Sequence, residues 1–182
     1  MQKVNISLDS AGLAVGATST KFSLNNASDN IRFLIDNIFK VRNLSGSNTE
    51  DITFAATTGT SFYVLPDGYS CLLMSVINAA GTVTVIQGSP FKSEVVDGVT
   101  KYRGYREVKD AAGLPLRLEA LSALHDYTSN FLPALPDDYA PLGAIKVATS
   151  GAAFTVGTTA LDAGTVTDTY INFSGIPVAT AI

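Results

Sequence analysis

The stretch that decides the fold is "CLLMSVINAAGTVTVIQG", residues 71–88. Its first seven residues are apolar apart from Ser75 and end at Asn78, so they read as a strand buried on both faces. "NAAG" is a turn. Beyond it, Val83 and Val85 alternate with Thr82 and Thr84, the period of a strand with one buried face. The whole reads as an antiparallel hairpin with a central first strand.

Working outward, other stretches repeat this logic. "IRFLIDNIFKVRN", residues 31–43, fits either a helix with Ile31, Leu34, Ile35, Ile38 and Phe39 on one face or a hairpin turning at Asp36-Asn37. Its β-branched and aromatic residues favour the hairpin, and Asp and Asn tolerate the positive φ of a two-residue turn. "FKSEVVDGVTKYRG", residues 91–104, carries Asp97-Gly98, the strongest short hairpin signal in the chain. The implied register sets Val96 against Val99 and Glu94 against Lys101, a cross-strand pair of opposite charge. The sequence predicts that this charged hairpin projects from the body, with Glu94, Asp97, Gly98 and Lys101 as its marker residues.

Further strands are expected at 52–55, 61–65, 144–149, 153–156 and 165–173. One short helix is expected over 115–131, with Pro115 at its first position, Leu118 and Leu121 at helical spacing, and His125 as a cation near its end. At the start, Val4, Ile6 and Leu8 alternate with polar residues. They mark an N-terminal arm, residues 1–25, that either adds a strand to a neighbouring copy or shell or pairs within its own subunit. The remainder, 26–182, reads as one β domain with an insertion at about 91–132. The fold class is therefore mainly β: an antiparallel sandwich or barrel of short strands, with an inserted charged hairpin and one short helix.

Composition agrees with burial and association. Of 182 residues, 46% are hydrophobic and 15% charged, well short of the usual quarter, which excludes disorder for most of the chain. The net charge of −4 argues against a nucleic-acid partner. Residues 92–117 hold six of the twelve Lys and Arg but are interleaved with acids. No apolar leader and no apolar run of membrane-spanning length is present, so a protein made in a cytoplasm with no membrane partner is expected.

Chemistry-bearing patterns are sparse. The single Cys71 sits among apolar neighbours, and the single His125 has no metal-ligand spacing around it. Asp137-Asp138 follows Pro136 and reads as turn chemistry, with a carboxylate-dependent enzyme as the alternative. No nucleophile elbow, phosphate loop or dinucleotide fingerprint occurs. No catalytic residue, metal or cofactor is expected.

"LPDGYSCLLMSVI" at 65–77 is echoed by "LPDDYAPLGAIKV" at 135–147, and "AGTVT" occurs at 80–84 and 163–167. With residues 30–90 and 133–177, these phrases resemble small structural proteins of tailed bacteriophage virions, of the capsid-decoration or head-fibre type. The insertion departs from that pattern. The resemblance implies a homo-oligomer, often a trimer, bound to a major capsid or other virion protein on the capsid surface. Alternatives are a tail or baseplate receptor-binding module and the small enzyme.

Overall fold

A computed structural model describes residues 3–44, 48–109 and 115–174, without the side chains of 115 and 116. The expected apolar tail, "SGIPVATAI", lies outside the described residues beyond Ser174. Strands dominate: of the described residues, 54% are strand and 2% helical. They are β1 (Ile6–Ser7), β2 (Ala14–Val15), β3 (Lys21–Asn25), β4 (Asn30–Ile35), β5 (Ile38–Asn43), β6 (Thr49–Thr53), β7 (Ser70–Asn78), β8 (Val83–Gln87), β9 (Phe91–Val96), β10 (Val99–Lys109), β11 (Pro115–His125), β12 (Tyr139–Thr149) and β13 (Val166–Asn172). All their ladders are antiparallel.

β7 is the centre of the main sheet, ordered β11-β10-β9-β7-β12-β13, with β8 also paired to β7. Its apolar run has a physical reason. Cys71, Leu73 and Ile77 face the main core, while Leu72, Met74 and Val76 face two smaller clusters on the other side. Phe131, Leu132, Leu135 and Tyr139 close those clusters. Two three-stranded sheets, β1-β4-β5 and β2-β3-β6, cover the main-core side. They contribute Phe22, Leu24, Ile31, Phe33, Ile35 and Ile52, which meet Ile145 and Val147 of β12. The result is an antiparallel sandwich.

The hairpins form as their turn residues dictate. Ile35 pairs with Ile38 across Asp36 and Asn37, whose φ angles are +53° and +66°. Val96 pairs with Val99, and Glu94 lies opposite Lys101, across Asp97 and Gly98 at +52° and +78°. Both are two-residue turns with positive φ at each central position.

Other expectations are corrected. The helix over 115–131 is instead strand β11, followed by one 3-10 turn at Thr128–Phe131. Pairing with β10 overrides the helix propensity of Leu, Ala and Glu. The ladder includes the Arg106–Glu119 ion pair. Residues 61–65 form no strand. Leu65 alone bridges to Phe154, which is also all that remains of the expected strand at 153–156. Tyr63 explains the first of these: its N–H donates to the Gln87 side chain and its hydroxyl to the Gly88 carbonyl, so side chains replace the ladder.

The two Leu-Pro-Asp stretches are turn-to-strand entries. Pro66 and Tyr69 carbonyls accept from the Thr149 hydroxyl at 2.8 and 3.0 Å, and Asp67 accepts from Gly151 N–H. The first entry is thereby tied to the end of β12. The second leads into β12 at Tyr139, five residues before the expected start, because a bulge after Pro141 lets the ladder with β7 continue past it.

Candidate assembly interface

Three surface regions stand out: the outward face of β1-β4-β5, the lobe β9-β10-β11, and a groove beside it. Cross-strand partners share a face of a sheet. On the first sheet, Ile6 pairs with Leu34, which pairs with Phe39. One step along, Leu8 N–H bonds the Arg32 carbonyl and Arg32 pairs with Val41. Two rows, Ile6–Leu34–Phe39 and Leu8–Arg32–Val41, therefore lie on the side away from Ile31, Phe33 and Ile35. Phe39 is 55% exposed, and Val4, Leu8 and Val41 are exposed as well, whereas Ile6 is buried within the chain. The alternation of Val4, Ile6 and Leu8 was visible in the sequence. The contribution of Phe39 and Val41 was not, because only strand pairing brings them alongside.

Residues 3–25 are bound into the body. Ala11, Leu13, Phe22 and Leu24 sit in the main core, and Asn5 donates to the Asp137 carbonyl. Ionic groups around the outward face are internally neutralised: Lys3 pairs with Asp36, Arg32 with Asp9, and Arg42 with Glu50.

Asp9 accepts from Arg32 Nε at 2.9 Å, Nη2 at 2.7 Å and backbone N–H at 2.8 Å. The Arg32 hydrogen bond holds its carboxyl below the ordinary value, against the opposing effect of burial. A carboxylate with a lowered native pKa stabilises the fold above its unfolded pKa, and that contribution is lost as pH falls through the native value. Asp9→Asn is expected to flatten the loss of thermal stability below about pH 4, measured by calorimetry across an acid series. An unchanged acid limb would count against this role.

The lobe is a three-stranded meander. Its hairpin residues have the expected register but different ionic partners. Glu94 takes the fork of Arg103 at 2.7 and 3.0 Å, while Lys101 bonds Asp126. The planar guanidinium makes two parallel hydrogen bonds from a diagonal position, a geometry that the opposite ammonium lacks. Arg103 also donates to the Leu121 carbonyl of β11, so it ties three strands together. Arg103→Ala is therefore expected to lower the melting temperature more than Lys101→Ala; equal shifts would refute the ranking. At the tip, Asp97 and Gly98 are flanked by exposed Val95, Val96 and Val99. Lys92 lies 3.8 Å above the Tyr69 ring, which meets Tyr105 edge-on.

The groove, about 540 Å³, is bordered by Phe62, Val64, Glu107, Lys109, Arg117 and Leu118. Lys109 pairs with Glu107 at 3.4 Å. Among the described residues, no three of His, Cys, Asp and Glu gather as a metal site. His125 is a β11 residue packed edge-on against Phe131, not a helix-end cation. Cys71 is fully buried, and desolvation pushes its thiol up to about 12, so it stays protonated. Asp137 and Asp138 add negative potential at Lys3, whose pKa is raised chiefly by its hydrogen bond to Asp36.

No family model, curated protein or solved structure matches the chain.

Proposed function

We propose that this chain is a structural protein of a bacteriophage virion, a capsid decoration or head-fibre component that binds the shell as a homo-oligomer. The observation that carries the reading is the outward face of β1-β4-β5, which exposes Val4, Leu8, Phe39 and Val41 beside a paired edge of ionic groups. Exposed apolar groups that cluster on one sheet face mark an interaction surface. Many copies of a modest contact hold firmly to a symmetric shell through avidity. The phrases at 65–88 and 135–177 that resemble such proteins support the same reading.

The test is co-sedimentation of the purified protein with empty heads. Binding is expected, with Phe39→Asp abolishing it while circular dichroism stays unchanged. Binding to cells or tails with no binding to heads would overturn the reading. The exposed valines at the tip of the lobe favour a second one, a receptor-binding module of the tail or baseplate. It predicts instead that Val95→Asp removes attachment to cells.

A further inference from the structure

We propose that copies of this chain join edge to edge, with β5 of one copy running antiparallel beside β13 of the next. The inference rests on the assembly reading and names the contact within it. Among the described residues, both strands end their sheets. Ile38 closes the hairpin with Ile35, and Leu44 N–H bonds the Asp29 carbonyl, so the even residues of β5 turn their main chain toward β4. Phe39 and Val41 therefore present N–H and C=O to the open edge. On β13, Phe173 N–H bonds Leu142 and Ser150 N–H bonds the Thr165 carbonyl, so odd residues face β12. Asp168 and Tyr170 are left facing outward. Each edge thus offers outward residues at the same spacing, Phe39, Val41 and Asn43 on β5 and Val166, Asp168, Tyr170 and Asn172 on β13.

Centring the two strands on each other sets Phe39 opposite Tyr170 and Val41 opposite Asp168 of the next copy. The intervening pairs are then Ile38 with Ile171, Lys40 with Thr169 and Arg42 with Thr167. Ile38, Phe39 and Ile171 are all exposed in the single chain, so this register covers apolar surface on both sides. Charge disfavours pairing of β5 with itself: the strand carries Lys40, its other base Arg42 is already held by Glu50, and β13 sets Thr169 against Lys40 and brings no base. Two β5 strands paired about their middle would put Lys40 opposite Lys40, which is destabilising. The contact joins different surfaces, so it propagates from copy to copy; where its rotation closes it makes a ring, of which the expected trimer is one form.

The test uses the single variants Lys40→Cys and Thr169→Cys, mixed and oxidised. These positions form a non-hydrogen-bonded antiparallel pair, whose Cα separation of roughly 4.5 Å lies within disulfide reach. Cys71 is fully buried and does not compete. A covalent dimer is expected from the mixture and from neither variant alone, and Ile171→Asp is expected to raise the dissociation constant at least about tenfold. Cross-linking of Lys40→Cys by itself, no dimer from the mixture, or a monomeric protein at micromolar concentration would each overturn the pairing. Head binding by wild-type protein without the mixed disulfide sinks the pairing alone. A mixed disulfide without head binding sinks the virion reading alone.

Discussion

Gly12→Ala is expected to cost about 3–5 kcal/mol, a large share of the stability of a domain this size. Gly12 has φ +59°, and a Cβ there would sit 1.7 Å from the Asn25 carbonyl oxygen. The contact cannot relax cheaply, because that segment is bonded on both sides. Asn25 N–H donates to the Ala11 carbonyl at 2.9 Å, and the Asn26 side chain donates to the Ser10 carbonyl at 2.8 Å. The clash adds to the cost of a non-glycine residue in the left-handed region. Gly98→Ala makes the control. Its φ is +78°, but nothing lies within 4 Å, so only the backbone term of about 1–2 kcal/mol applies. Denaturant midpoints measure both. Equal shifts would mean that the loop before β2 is not locked against β3 as described.

Phe91→Ala is the second large effect, about 3–5 kcal/mol, and it falls unevenly. Phe91 is the joint between lobe and body. It stacks on Phe131 at 4.6 Å, meets Tyr102 edge-on at 6.0 Å, and pairs across to Ser70, the one β7–β9 register pair. Truncation empties that cluster while leaving the contacts of β7 with β12 intact. Hydrogen exchange is expected to show β9–β11 amides losing protection while β7 and β12 keep theirs. Uniform loss across all five strands would show the lobe to be one cooperative unit with the body.

Local signals carried much of this architecture. Asp36-Asn37 and Asp97-Gly98 fixed two hairpins because few residues accept positive φ at both central turn positions. The unbroken run at 71–77 revealed a strand covered on both sides. Failures came where long-range pairing outweighed local pattern. In 114–119, "LPLRLE" alternates strictly, yet the Leu and Ala that follow fit a helix, and a bulge in the β10–β11 ladder between 120 and 124 interrupts the period. The strand expected from residue 144 begins at Tyr139 because Pro141 sits at a bulge. The candidate interface was half legible for a similar reason. The alternation at Val4, Ile6 and Leu8 is written in one segment, while Phe39 and Val41 join it only through β4.

β7 also constrains how the chain comes off the ribosome. Its hairpin partner β8 follows at once, but β12, which completes its other edge, emerges only after the entire lobe. Until then a strand apolar on both faces stands with an unsatisfied edge, a template for mispairing with other nascent chains. The ion-paired meander between them folds from sequence neighbours and can form during that wait. The lobe thus fills the interval in the chain between β7 with its hairpin partner and the strand that closes the other edge of β7.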